Sequence, residues 1–109
     1  MPTTYKVLGQ SNPAATTATT LYTVPASTQA VVSTIVVANL TATAATFRIA
    51  CRVAGATLAN SQYVAYDITV GASDSTALTL GLTLGAADVV TVYASTANIT
   101  FTAFGSEIS

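Results

Sequence analysis

The chain has 109 residues, enough for one domain with a single modest core. Only 6% of them are charged and the net charge is −1, against roughly a quarter charged in an ordinary soluble domain. Three cations, Lys6, Arg48 and Arg52, are too few to grip a phosphate backbone or an anionic bilayer, which argues against nucleic acid and membrane as partners.

Hydrophobic residues make up 51%, and Val, Ile, Thr and five Tyr are plentiful, so the low charge does not signal disorder. The longest apolar run, within "AVVSTIVVANL", is far short of the ~20 residues of a spanning helix. No basic stretch followed by an apolar one opens the chain, so synthesis in a cytoplasm without export is expected. A surface this poor in charge is unusual for a free monomer, which points to cover by other protein.

Residues 1–20, "MPTTYKVLGQSNPAATTATT", carry one short apolar patch, Tyr5, Val7 and Leu8, and then an Ala/Thr/Pro linker. Two readings stay open: an edge strand plus loop, or an extended arm that adds a strand to a neighbouring subunit. Residues 21–109 read as one β-sandwich domain. "TLYTVP" is a strand stopped at Pro25. "TQAVVSTIVVANL" is apolar on both faces, as in a central or doubly covered strand.

In "ATFRIACRVAG", Phe47, Ile49, Cys51 and Val53 alternate with Thr46, Arg48, Ala50 and Arg52. "SQYVAYDITVGA" sets Val64, Tyr66, Ile68 and Val70 against Tyr63, Ala65, Asp67 and Thr69. "TALTLGLTLG" is the cleanest case, with Leu78, Leu80, Leu82 and Leu84 opposite Thr79, Gly81, Thr83 and Gly85. "DVVTVYAS" and "ITFTAFG" complete the series. Turn clusters such as "PAST", "GASDS" and "GAAD" separate these runs about every ten residues. The expected fold is all-β: a single antiparallel β-sandwich or jelly-roll-like domain of about seven or eight strands, with an extended N-terminal segment.

Catalytic chemistry finds little support. There is no His to act as a base and no GxSxG elbow, and the single Cys51 falls on the apolar face of its strand as a buried, inert thiol. Asp74 and Asp88 fall in turn clusters, where Asp bonds its own backbone. Asp67 lies mid-strand and needs a partner, for which Arg48 and Arg52 are the available guanidinium groups. No zinc spacing exists, and "ASDST" is too sparse for calcium. The reading is a non-enzyme with no cofactor and no small-molecule substrate.

Asn39 and Asn98 begin N-x-T triplets that are expected by chance in a Thr-rich chain. Tyr63, Tyr66 and Tyr93 either stack on a sugar or are ordinary strand aromatics. Arg48 and Arg52 share a strand face, and with Tyr5 and Lys6 they are the candidate protein-contact residues.

The stretches "TTYKVLGQSNPAATTATTLYTVPAS", "ATFRIACRVAGATLANSQYVAYDITV", "TALTLGLTLGAADVVTVYAS" and "FTAFGSEIS" resemble small virion proteins of tailed bacteriophages, over nearly the whole chain. These include capsid decoration (cement) proteins and tail-fibre modules. The resemblance implies a β-sandwich or jelly-roll protomer, usually a homotrimer, sitting where capsomers meet. It makes the major capsid protein the expected partner and the capsid exterior of the virion the expected location. A tail-fibre or tail-tip module, structural or receptor-binding, is the alternative.

Overall fold

The structure is a computed structural model that describes residues 3–109. Eight strands follow one another: β1 Thr3–Ser11, β2 Thr19–Thr23, β3 Gln29–Asn39, β4 Ala45–Arg52, β5 Tyr63–Val70, β6 Ser75–Leu84, β7 Val89–Ala94 and β8 Ile99–Ile108. Two single 3₁₀ turns, Val53–Gly55 and Asn60–Gln62, lie between β4 and β5. The strands form two four-stranded sheets, ordered β1-β8-β3-β6 and β2-β7-β4-β5, with every pairing antiparallel. The chain changes sheet at each connection except β4 to β5, which gives the strand order of a jelly roll. The all-β sandwich expected from the period-two pattern is therefore the fold.

The core follows from that pattern. Rows of inward residues cross the first sheet, for example Gly9, Ala103, Ile35 and Leu78, and next to them Ser11, Phe101, Val37 and Thr76. Facing them from the second sheet are Phe47, Ile49, Val90, Val92 and Ala94, each 0% exposed. Phe47 and Phe101 meet edge-to-face across the two layers, with ring centroids 6.0 Å apart. Leu84 is buried, while Leu78, Leu80 and Leu82 pack on the core from β6, an edge strand that leaves them partly open.

A line of bulges bends the first sheet. The register slips at Leu8 in β1, at Ser33 in β3 and between Thr79 and Leu82 in β6. Gly81 takes up the last slip with φ +61°, a conformation that glycine adopts without a side-chain penalty. Gly105 lies beside this line, where a Cβ would stand 1.9 Å from the Val31 carbonyl oxygen, so no larger residue fits.

The initial segment is β1, an edge strand paired with β8 of its own chain over residues Thr3 to Ser11. Two expectations about faces are corrected. Val53 does not continue the inward face of β4. That strand ends at Arg52, Ala54 turns left-handed with φ 54°, and Val53 is 70% exposed. The alternation expected along β5 also breaks, because its register slips twice against β4. Asp67 sits at the second slip with φ 50°. Ala65 and Val70 then face inward, and Val64 and Tyr66 are exposed.

Candidate functional site

The first candidate is the outer face of the first sheet. Its cross-strand rows read Tyr5, Ser106, Val31 and Thr83; Val7, Phe104, Thr34 and Thr79; Gln10, Thr102, Val36 and Ala77; and Thr100, Ala38 and Ser75. None of these side chains is charged. Tyr5 is 82% exposed, Val7 47% and Phe104 38%. Along the middle, Val31, Val36 and Ala38 of β3 are half-buried by their own neighbours, with no third layer above them among the described residues. The central position of β3 matches its doubly apolar sequence, but within this chain only one of its faces is covered.

The four strands of this sheet carry just two charged side chains among the described residues, Lys6 and Glu107, and these consume each other. Lys6 Nζ lies 2.9 Å from Glu107 Oε1. The Tyr22 hydroxyl, reaching across from β2 in the other sheet, donates to Glu107 Oε2. Hydrogen bonds from Tyr22 and then Lys6 hold the Glu107 carboxyl below its usual range. Burial first, and then Glu107, push the Tyr22 phenol well above its ordinary value, so it stays a donor. The cluster ties the two sheets together at one edge and removes its charges from the outer face.

The second candidate lies on the opposite side of the sandwich. Arg48 projects from β4 on the outer face of the second sheet, directly paired with Tyr93 of β7. The two slips in β5 bring Tyr63, Tyr66 and Asp67 to that same face. Arg48 Nε donates to Asp67 Oδ1 at 2.6 Å and Nη2 donates to Oδ2 at 3.2 Å, a two-pronged pair. The guanidinium carbon also lies over two rings, 4.1 Å from the Tyr66 centroid and 4.4 Å from that of Tyr93. The bond to Asp67 is the main reason the Arg48 pKa rises, and the bond to Arg48 is the main reason that of Asp67 falls.

Tyr63 closes the cluster, meeting Tyr66 edge-on at 4.9 Å and 81°. Tyr63, Tyr66 and Asn60 line an open groove of about 500 Å³. Arg52 does not join this cluster. Its guanidinium donates to the Ala56 carbonyl at 2.7 Å and the Gly55 carbonyl at 2.9 Å, pinning the loop after β4.

The four contact candidates therefore fall in different places. Tyr5 lies on the outer face of the first sheet, Lys6 at its edge on Glu107, and Arg48 and Arg52 on the second sheet, both engaged within the chain. The remaining acids serve turns: Asp88 accepts from the Gly85 and Ala54 amides, and Asp74 from Ser75. Asn39 is buried and spends its side chain on Thr41, Thr43, Val70 and Gly71, which fastens the end of β3 to the opposite sheet. Burial pushes the Cys51 thiol up, with Asp88 adding to the shift.

Comparison with protein-family models gives no match, and comparison with curated proteins gives none either.

Sequence reasoning did not single out Phe104, Val36 and Thr34 as part of a bare outer face, because period two assigns residues to faces without saying which face is left bare. The pairing of Glu107 with Lys6 and Tyr22 spans 101 and 85 residues of sequence, and no local signal announces it.

Proposed function

We infer that the protein is a virion structural module, a capsid decoration protein that binds the outside of a phage head and stabilises the shell by bridging capsid subunits. The observation that carries this reading is the uncharged outer face of the first sheet. The molecule measures 45 × 27 × 19 Å, so its broad side offers on the order of 1,000 Å². That is comparable with the ~800 Å² per partner of a standard protein interface. A surface that leaves Tyr5, Val7 and Phe104 bare and has no charge to desolvate suits burial against protein. The paired state of Lys6 and Glu107 supports the same reading, since no free charge opposes docking.

Bridging stabilises by mass action. A ligand that binds only the assembled lattice shifts the equilibrium toward it, and a homotrimer presenting three faces multiplies the effect through effective concentration. The module has no catalytic part in this. A tail-fibre or tail-tip module is the second reading, favoured by the tyrosine groove on the far side.

The test is co-sedimentation with phage heads stripped of decoration, for the native protein and Phe104→Arg. Phe104 is 38% exposed, so an arginine there can keep its stem on the sheet and its charge in water while the protein is free. The expected result is unchanged thermal stability with attachment reduced at least ~100-fold, the effect of an unpaired charge in a closed interface. Equal attachment of the variant refutes the assignment of this face.

A further inference from the structure

We propose that the groove lined by Asn60, Tyr63 and Tyr66 binds a neutral oligosaccharide. Three observations converge. Tyr66 is more than half exposed, yet it is held by two neighbours, the Arg48 guanidinium over its ring at 4.1 Å and the Tyr63 ring nearly perpendicular to it at 4.9 Å. A ring fixed before the ligand arrives loses little freedom on binding.

The backbone also accepts strain to place it. Asp67, next in sequence, adopts φ 50°, and the bulge there turns Tyr66 outward while aiming the carboxylate at Arg48. Bulges and left-handed non-glycine residues cluster where a side chain must be re-aimed.

The third observation is chemical. The groove holds two aromatic rings at 81° and one side-chain amide, with no free ion. Arg48 is already neutralised by the two bonds it donates to Asp67, so an anionic ligand finds no open cation. A purely apolar ligand finds an open site with too little enclosure, since small-molecule pockets bury most of their ligand. A pyranose fits both surfaces: its flat C–H face lies on an aromatic ring, and its hydroxyls exchange hydrogen bonds with an amide that both donates and accepts.

This site lies on the face opposite the uncharged sheet. A protein docked through the first sheet leaves it pointing away from the shell, toward whatever glycan surface the particle meets. The inference does not rest on the docking reading, because each face can be disabled separately.

The experiment is an amide-shift titration of the ¹⁵N-labelled full chain with maltohexaose, cellohexaose and chitohexaose, and with a sulfated hexasaccharide as the anionic comparison. Saturable shifts are expected with at least one neutral sugar, centred on residues 60–66. Tyr66→Phe should retain binding, while Tyr66→Ala should weaken it about tenfold or more. Because Tyr66→Ala also uncovers Arg48, Asn60→Ala on the adjoining turn provides a second variant, and it too should weaken binding. No saturable shift with any of the three neutral sugars overturns the proposal, as does tighter binding of the sulfated one. Equal binding by Tyr66→Ala and the native chain overturns it as well. Phe104→Arg should leave sugar binding intact, so failure here and failure of the docking face are told apart.

Discussion

Replacing Glu107 with Gln keeps the shape of the clasp between the sheets and removes its charge. Glu107 accepts from Tyr22, which is 8% exposed, and faces Lys6 Nζ at 2.9 Å. A hydrogen bond to a charged group contributes about 1.5–3 kcal/mol and a neutral one about 0.5–1.5, so the Tyr22 bond should lose roughly 1–1.5 kcal/mol. The Lys6 side chain is 47% exposed, which limits its ion pair to at most about 1 kcal/mol. Together Glu107→Gln should cost about 1–2.5 kcal/mol, or a fall in Tm of roughly 5–15 °C for a domain near 100 residues.

The pH dependence carries the sign. The native carboxyl titrates below its unfolded value, so its contribution is complete above the ordinary glutamate pKa and is lost as pH falls through the lowered native one. Tyr22 acts oppositely. Its native pKa is raised, so its contribution is complete below the unfolded tyrosine value and is lost as pH climbs through the native one. Thermal melts of both proteins across acid pH should converge as Glu107 protonates, and Tyr22→Phe combined with Glu107→Gln should be less than additive. Equal Tm at neutral pH and parallel curves into acid would refute the clasp.

Other outcomes follow from the same packing. Leu82→Asp places a carboxylate on the partly buried inward row that contains Val32 and Gly105, so thermal melting followed by circular dichroism should shift sharply downward. Native-like melting would contradict the leucine face. Cys51, expected to be buried, is only half-buried where it pairs with Val90 at the edge of the core, and its thiol pKa is raised, so reaction with a disulfide reagent at neutral pH should be slower in the folded state than in urea. Fast labelling of the folded protein would place that side chain elsewhere.

How far the sequence speaks differs from strand to strand. In β6 the Leu/Thr alternation survives a bulge because Gly81 absorbs the extra residue, so the inward set is readable directly. In β5 it is not, since Tyr63 and Tyr66 are three apart and share a face only because the register slips at both ends of Ala65. Nothing in "YVAYDITV" marks those slips: no glycine is present, and Asp67 is the one residue tolerant of a left-handed backbone. That Asp67 meets an arginine was legible from scarcity, as few cations exist to meet a mid-strand carboxylate, but the choice of Arg48 over Arg52 was not. The uncharged outer face was half legible. The doubly apolar sequence of β3 demanded cover on both sides, and the fold supplies only one.

On the proposed reading, the broad uncharged face is covered in the virion and the tyrosine groove is not. The most direct measurement is tyrosine footprinting with a small nitrating reagent, comparing free protein with protein on intact particles. Tyr5 and Tyr66 are 82% and 53% exposed in the free chain, so both should react there. On particles, Tyr5 should become protected while Tyr66 stays reactive. Tyr5 reacting on the particle as it does in solution would contradict the account.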